Sequence, residues 1–336
     1  MDNTRQKQLK KWLIQCPEID KFELTPASSD ASFRRYFRVT CINSGINAGN
    51  NKSYIAMDAP PEKENSASFV AISKLLFDAG INVPEVHQKD FDKGFFLISD
   101  LGKKQYLAVL NKDTFEALYL SAIQVLIEIQ QIPANQQNNI PDYDRNLLML
   151  EMELFRDWYL NKHLGFKLDS VIQNLLLNTF TFLSDSALAQ KQVLVHRDYH
   201  SRNLMANSIN PDSPGVLDFQ DAVIGPFTYD LVSLLRDCYI NWPEQKITKL
   251  ALFYKESAEQ RKIIPQIKNE DFIKFFDFMG IQRHLKAIGI FSRLNYRDHK
   301  SSYLDDIPRT LNYIVNISSK YNELSDFNSF LQKINM

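Results

Sequence analysis

The alternation of apolar and polar residues divides the chain into a β-rich first part and a mainly helical remainder. The stretches 33–41 (FRRYFRVTC) and 54–58 (YIAMD) are rich in aromatic and β-branched residues, which predicts two strands joined by the turn-forming run 43–52. Apolar residues at helical spacing in 5–16 and 64–80 predict two amphipathic helices. Two further strands are predicted at 81–90 and 95–99.

From Asp113 onward the pattern is mostly helical. A polar loop at 133–142 interrupts it, and a short β-rich insert spans 193–220. This order predicts an α+β protein with two lobes. We expect a small β-rich lobe over 1–102, with a hinge at 97–102, and a larger, mainly helical lobe over 103–336.

Composition and charge narrow the functional classes. The 336 residues suffice for two lobes that each bury a core. Because 39 basic residues face 40 acidic ones, we expect no nucleic-acid partner. No apolar run reaches the length of a membrane span, and no obligate protein partner is evident. Three dispersed cysteines, interpreted as packing residues, favour the cytoplasm.

The strongest chemical signal is the run His196-Arg197-Asp198-Tyr199-His200-Ser201-Arg202-Asn203, which we call the catalytic loop. Phosphoryl transfer needs a carboxylate close to the attacking hydroxyl and oxygen ligands for magnesium. Asp198 is the predicted general base. Asn203 and Asp218, the second of these in the run LDFQD, are the predicted Mg²⁺ ligands.

Other polar residues of these motifs are assigned to support. His196 and Arg197 are predicted to hold the catalytic loop, and His200 is interpreted as structural. Asp221 is expected to orient the metal ligand or the catalytic loop. Asp230, near the start of a predicted helix, is expected to tie that helix to the catalytic loop.

The motifs HRDYHSRN and LDFQD resemble those of the aminoglycoside phosphotransferase and choline kinase superfamily, which has a protein-kinase-like fold. SDASFRRYFRV, LISDLG and MGIQRHLKAIGIFSRLNYRD resemble one branch in particular, the kinases of bacterial cell-wall recycling that phosphorylate the anomeric oxygen of N-acetylmuramate and N-acetylglucosamine. The resemblance implies ATP and Mg²⁺ as cofactors. It also implies that the inter-lobe segment contacts adenine through Ser99, Asp100 and Leu101.

One departure from protein kinases concerns the lysine that holds the nucleotide phosphates. Met57 stands where that strand lysine is expected, and small residues in 29–32 replace a glycine-rich loop. Strand alternation places Arg34 and Arg38 on one face and Arg35 on the other. Arg34 and Arg38 are therefore predicted to supply the missing charge. A solvated cluster on an edge strand is the alternative.

The late helix 281–297 carries a basic stripe. We expect it to border the acceptor site and to bind the lactyl carboxylate of N-acetylmuramate, with Arg283 and Arg293 as the candidates. The alternative is a solvated face paired with Asp305 and Asp306. The members of the stripe are Arg283, Lys286, Arg293 and Arg297.

The segment 142–160 is also expected beside the acceptor. Asp144 and Glu151 are candidate sugar contacts, and the other prominent residues are assigned to the core by their spacing. Those core residues are Leu147, Leu150, Leu154 and Trp158.

The sequence thus predicts an ATP-dependent kinase of a small amino sugar that produces the sugar 1-phosphate. Two alternatives stay open. The first is a kinase for another small hydroxyl compound, such as an aminoglycoside or an amino alcohol. The second is a nucleotide-binding scaffold without catalysis, which the missing strand lysine would fit.

Overall fold

The structure of the chain is a computed structural model that describes residues 3–29, 33–42, 52–133, 136–137, 140–206 and 213–334. The described residues divide into two compact units. The first runs to Lys104 and includes the described part of Met205–Asp221, while the second contains Gln105–Leu204 and the residues from Ala222 onward. The predicted α+β class, with a β-rich first part and a mainly helical second part, is confirmed.

The first unit is built on a five-stranded antiparallel sheet with the order β1-β2-β3-β5-β4. Two helices accompany it, α1 (Asn3–Leu13) and α2 (Ser66–Asp78). The strands are β1 (Phe22–Ser29), β2 (Arg35–Cys41), β3 (Ser53–Asp58), β4 (Val86–Asp90) and β5 (Phe95–Ser99).

One face of this sheet packs against α1. Leu9 and Leu13 of the helix are buried against inward-facing residues of β2, including Val39. At the end of the same face the buried Asp58 accepts hydrogen bonds from Arg5 Nε (3.0 Å) and Arg35 Nε (3.1 Å). Pairing with two guanidinium groups offsets the desolvation penalty of burying this carboxylate.

The pattern of apolar residues did not predict strand β1. Its sequence FELTPASS contains Pro26, which argues against a central strand. The strand lies at the edge of the sheet, where a missing N–H group is tolerated, and its pairing with β2 is irregular between Pro26 and Ser28. The predicted turn at 43–52 lies outside the described residues except for Lys52.

The stretch Met205–Asp221, which the sequence places in the second lobe, has its contacts in the first unit. Phe219 stacks on Phe69 of α2 with ring centroids 5.2 Å apart. Ser68 Oγ donates to the Gln220 carbonyl oxygen at 2.6 Å. Residues 207–212 lie outside the described part of the chain.

Helices dominate the second unit. A π-helical segment (Phe155–His163) continues α5, and 3₁₀ turns occupy Ser301–Asp306 and Asn322–Leu324. The helices are α3 (Tyr106–Val109), α4 (Phe115–Gln130), α5 (Arg145–Leu154), α6 (Ser170–Leu188), α7 (Tyr229–Leu235), α8 (Glu244–Gln260), α9 (Asn269–Asp298), α10 (Ile307–Ser318) and α11 (Ser325–Ile334).

Short strands frame the catalytic loop. Strand β6 (Gln192–Val195) enters it and pairs in antiparallel fashion with β9 (Val223–Pro226). The strand β7 (Leu204–Met205) leaves it, and β8 (Gly215–Val216) precedes Asp218. The β-rich insert predicted for 193–220 is therefore confirmed, although β9 was not predicted.

The long helix α9 is the centre of the second unit. Its residues from Phe276 to Leu294 are mostly buried, because the π-helical segment and the helices α5, α6, α7 and α10 all pack around it. Although the helix is buried on nearly every side, several of its buried residues are polar or charged, including Arg283 and Lys286. Among the described helices, none has both the length and the apolar character needed to cross a lipid bilayer.

The predicted buried face of α5 is wrong. Leu150 is 60% exposed, and the buried residues include Leu148 and Met152 instead. The segment LLMLEMELF is apolar on both sides, so spacing alone does not select the inner face. Burial of Glu151, whose ionic partners lie inside the unit, selects that face. The other members of the predicted core set, Leu147, Leu154 and Trp158, are half-buried.

The interpretation of the cysteines as packing residues is confirmed. Cys16, Cys41 and Cys238 are buried and unpaired. Burial raises the pKa of the Cys16 thiol to about 11, which keeps it protonated at neutral pH.

We predict that Gly289→Ala destabilises the second unit. A Cβ atom at this position of α9 would lie 2.4 Å from the Leu154 carbonyl carbon. Because that carbon belongs to the backbone, no side-chain movement could relieve the clash. We expect a loss of about 1–3 kcal/mol, from overpacking, even though alanine favours helices. A urea unfolding curve measures it.

Gly280→Ala is the matched control in the same helix. There the nearest atom to a Cβ would be the Arg236 Nη1 at 3.3 Å, a contact that a shift of a few tenths of an ångström would relieve. The gain in helix propensity of about 1 kcal/mol should offset that crowding. Equal destabilisation by the two substitutions would contradict the close approach of α9 and α5.

Candidate active site

The catalytic loop is held at its start by a buried carboxylate. Asp230, in the first turn of α7, accepts hydrogen bonds from the backbone N–H groups of His196 (2.6 Å) and Arg197 (3.0 Å). The prediction that Asp230 ties its helix to the loop is confirmed. Burial raises the pKa of Asp230 to about 7, although both N–H groups favour the charged form.

The second half of the loop is folded onto the backbone of Asp198. The Asp198 carbonyl oxygen accepts from the His200 N–H group and from Asn203 Nδ2, both at 3.0 Å. Because its Nδ2 atom is used in this way, the Asn203 amide has a fixed orientation. Ser201 N–H donates to Asp237 Oδ2 at 3.0 Å, which anchors the loop a second time.

The loop contains a strained backbone position. Arg197 has a φ of +74°, which residues other than glycine seldom adopt. Such strain persists only where surrounding contacts enforce it, and it concentrates at functional sites. Here the bond to Asp230 and the pairing of the Arg197 side chain with Glu151 enforce it.

Glu151 is the centre of a buried ionic cluster. Its carboxylate contacts Arg197 Nη2 and the hydroxyl of Tyr143, and it lies 3.1 Å from Lys286 Nζ. Burial opposes ionisation of Glu151, but Lys286 and Arg197 outweigh it and lower the pKa below its ordinary value. One carboxylate therefore pairs with two cations, one on the catalytic loop and one on α9, and the cluster keeps a net positive charge.

Asp198 lies beside a pocket within the second unit, which we call the Asp198 pocket. Burial opposes ionisation of its carboxyl group, yet the pKa lies below its ordinary value because Lys286 and other positive neighbours outweigh that penalty. An ionised carboxylate at this position can accept a proton from a bound hydroxyl group. The lining of the Asp198 pocket includes Asp198, Tyr229, Tyr239, Arg283, Lys286 and Phe291.

Aromatic rings form one wall of the Asp198 pocket. Tyr239 and Phe291 have ring centroids 6.2 Å apart, and Phe291 stacks on Tyr303 at 5.7 Å. His200 also lines the pocket, with its ring edge against Tyr239. Burial lowers the pKa of His200, which keeps its imidazole neutral at pH 7.

The predicted basic stripe on α9 is divided by its surroundings. Arg283 and Lys286 are buried and line the Asp198 pocket. Arg293 is half-buried and lies ten residues further on, which is about 15 Å along the axis. Arg297 is exposed and pairs with Asp298 at 2.9 Å. The four residues therefore do not form a single cationic surface along the helix.

The two other sugar candidates have structural partners. Asp144 is the N-cap of α5, where its Oδ1 atom accepts from the Leu147 N–H group at 2.8 Å. Glu151 lies in the ionic cluster described above. Their contact with a sugar stays a prediction.

In the first unit, the predicted adenine-binding segment follows β5. Asp100 accepts from Arg38 Nε (2.6 Å) and Nη2 (3.0 Å), and Arg38 Nη2 also donates to the Gly102 carbonyl oxygen. Burial opposes ionisation of Asp100, but the bond from Arg38 outweighs it and lowers the pKa. Ser99 Oγ bonds His87 Nε2 at 3.0 Å. These contacts hold the backbone from Ser99 through Leu101.

The two predicted phosphate-binding arginines also have acidic partners. Arg34 is buried and lies 3.1 Å from Glu64 Oε2, while Arg38 pairs with Asp100 as described. Arg35 points to Asp58 and the α1 face, as the strand alternation predicted. Of the small residues at 29–32 that could approach phosphate, Ala31 and Ser32 lie outside the described residues.

Asp218, the predicted second metal ligand, has a left-handed backbone with a φ of +66°. Its Oδ1 atom accepts from Gln220 Nε2 at 2.7 Å, and the next residue, Phe219, is buried against α2. As with Arg197, a strained position that packing enforces is typical of a functional site. Asp221 is exposed, and its supporting role stays a prediction.

The family model described as "Phosphotransferase enzyme family" matches residues 23–260. The chain belongs to the phosphotransferase enzyme family. The match includes the catalytic loop, Asp218 and the first part of the Asp198 pocket, but it ends before α9.

Curated relatives extend over nearly the whole phosphotransferase chain. A Pseudomonas putida protein named N-acetylmuramate/N-acetylglucosamine kinase is 42% identical over 317 residues, which cover 94% of this chain and 90% of the relative. A Neisseria meningitidis protein with the same name is 42% identical and covers 98% of this chain and 96% of the relative.

Solved structures agree in fold. An aminoglycoside phosphotransferase in complex with GDP and kanamycin matches with a TM-score of 0.62 at 15% identity, covering 92% of this chain and 99% of that one. A Plasmodium vivax ethanolamine kinase matches with a TM-score of 0.59 at 12% identity, covering 87% and 81%. At such identities the likeness shows the fold alone.

The aromatic wall of the Asp198 pocket is what the sequence did not predict. Tyr229, Tyr239 and Phe291 were given no role, and His200 was interpreted as structural. The available signal was the alternation of aromatic and basic residues after Asp218 and on α9, but the spacing of such residues also fits an ordinary core.

We predict that Asp230→Ala severely destabilises this phosphotransferase. The substitution leaves the N–H groups of His196 and Arg197 buried without an acceptor, at about 1–3 kcal/mol each. Asp230→Asn retains one amide oxygen and should lose about half as much. Urea unfolding at pH 8 measures both.

Asp326→Ala is the control for Asp230. This aspartate also lies in the first turn of a helix, α11, but it is exposed. Its loss should cost no more than about 1 kcal/mol, the upper range of a helix-dipole contribution at the surface. Comparable losses at the two positions would mean that Asp230 does not hold the catalytic loop.

Proposed function

We propose that this phosphotransferase transfers the γ-phosphoryl group of ATP to the anomeric hydroxyl of N-acetylmuramate and N-acetylglucosamine. The products would be ADP and the sugar 1-phosphate. The names of near full-length relatives at 40–42% identity support this choice of sugars. The placement of Asp198 beside a pocket with aromatic and cationic walls is the observation that carries it.

The proposed chemistry assigns the proton to Asp198. As the anomeric oxygen bonds to the γ-phosphorus, the bond between that phosphorus and the β,γ-bridging oxygen breaks, and the hydroxyl proton passes to the Asp198 carboxylate. The low pKa of Asp198 keeps this acceptor charged at neutral pH. Most of the catalysis then comes from positioning and charge neutralisation.

Asn203 and Asp218 fit a hard cation. Their amide and carboxylate oxygens are donors that Mg²⁺ prefers, and each side chain is oriented by a hydrogen bond within its own motif. When bound, Mg²⁺ would neutralise phosphate charge. His196, Arg197 and Asp221 keep their proposed supporting roles.

For the nucleotide, Ser99, Asp100 and Leu101 remain the proposed adenine contacts. Arg34 and Arg38 remain the proposed source of positive charge in place of the strand lysine. The bidentate pairing of Arg38 with Asp100 supports a role in ordering this segment. A reducing compartment, the cytoplasm, remains the proposal that the three unpaired cysteines support.

The Asp198 pocket argues against a cationic acceptor. Arg283 and Lys286 line it, so an aminoglycoside or an amino alcohol would meet like charge there. The third interpretation, a scaffold without catalysis, does not account for an ionised Asp198 on a loop that two buried carboxylates hold in place.

A panel assay tests the proposed function. Purified protein with ATP and Mg²⁺ should release ADP with N-acetylmuramate and N-acetylglucosamine, but not with kanamycin or ethanolamine. NMR of the product should show phosphorus coupled to the anomeric proton. Turnover of the cationic compounds alone, or phosphate on another oxygen of the sugar, would overturn the proposal.

We predict that Asp198→Asn lowers kcat by about 10²–10⁴-fold, the usual contribution of a positioned general base. The nearly isosteric amide leaves ATP binding within about twofold, which calorimetry measures. Asp185→Asn removes an exposed carboxylate from α6 and serves as the control. An Asp198→Asn variant with wild-type kcat would show that another group accepts the proton.

A further inference from the structure

The cations around the Asp198 pocket differ in whether a carboxylate pairs with them. Lys286 and Arg197 share the carboxylate of Glu151. Arg202 lies over the Tyr239 ring, 3.5 Å from its centroid, with Asp306 4.0 Å away. Each of these three side chains therefore has a carboxylate partner in the folded protein.

Arg283 has no such partner among the residues that the structure describes. Its side chain is 6% exposed, its Nε atom has no hydrogen-bond acceptor, and its Nη1 atom contacts only the sulfur of Cys238, at 3.6 Å. A guanidinium group stays protonated even when buried. A buried charge without a hydrogen-bonded counter-ion is unfavourable, so this position favours an anion.

The location of Arg283 limits what that anion can be. It lines the same pocket as Asp198, the group that would accept the proton from the acceptor hydroxyl. An anion bound here would belong to the acceptor molecule. Of the two sugars in the proposed function, N-acetylmuramate has a carboxylate, on its lactyl ether, and N-acetylglucosamine has none.

We infer that Arg283 binds the lactyl carboxylate of N-acetylmuramate and so determines the preference of the pocket for acidic amino sugars. This inference rests on the proposed function. It separates Arg283 from Arg293, the other candidate in the sequence, because Arg293 lies further along α9. It also separates Arg283 from Lys286, which has Glu151 as a carboxylate partner.

The test compares three acceptors: N-acetylmuramate, its neutral lactyl carboxamide, and N-acetylglucosamine. Arg283→Met keeps the length and apolar stem of the side chain without the charge. We expect kcat/KM for N-acetylmuramate to fall about 10- to 100-fold, the weight of a charge-assisted hydrogen bond. The fall should appear in KM, and both neutral acceptors should change less than about threefold.

Two further variants define the result. Lys274→Met removes a positive charge from an exposed part of the same helix and should change none of the three acceptors. Arg293→Met should also spare them. A loss selective for N-acetylmuramate in Arg293→Met instead of Arg283→Met would overturn the assignment.

Other outcomes are equally decisive. An equal fall in kcat for all three acceptors in Arg283→Met would mean that this residue acts on Asp198 or on phosphate, and the inference would fail. If Arg283→Met does not fold, the wild-type protein decides, since it should favour the acid over its carboxamide by a similar factor. A wild-type enzyme that treats the two alike contradicts the inference. A wild-type protein inactive on both sugars refutes the proposed function itself.

Discussion

The sharing of the Glu151 carboxylate by Arg197 and Lys286 is the interaction on which the second unit depends. It joins three parts of the chain that are far apart in sequence: helix α5, the catalytic loop and helix α9. An intact buried ion pair contributes little net stability, but removing one partner is strongly destabilising because it leaves the other charge buried and unpaired. Glu151 thus fixes the strained Arg197 backbone and the end of Lys286 together.

This sharing also determines the electrostatics of the Asp198 pocket. Lys286 forms its ion pair with Glu151 and none with Asp198, so it acts on Asp198 at longer range and lowers the pKa of that carboxyl group. Arg283 is left as the buried cation that the described carboxylates do not pair. Arg283 and Lys286 of α9 therefore differ in function, because the Glu151 carboxylate of α5 pairs with Lys286 and not with Arg283.

The sequence predicted the motifs that we propose carry the chemistry, but it did not predict the aromatic wall of the pocket. Asp198, Asn203 and Asp218 belong to local motifs whose spacing is itself the signal, and the confirmed role of Asp230 follows from its place in the first turn of a helix. The walls come from α9 and from the residues around α7, and only tertiary packing shows which of their aromatic and basic side chains face Asp198. The same limit explains why the buried face of α5 was predicted wrongly and why the edge strand with Pro26 was not predicted.

The contact at Gly289 determines the direction in which the Arg283 side chain points. Helix α9 touches α5 there backbone to backbone, six residues beyond Arg283. That contact fixes both the rotation and the axial position of α9, so it acts as a reference point for the side chains upstream. Inserting one residue between these positions would turn Arg283 by about 100°, away from Asp198. Natural variation in length should therefore be absent from this short interval.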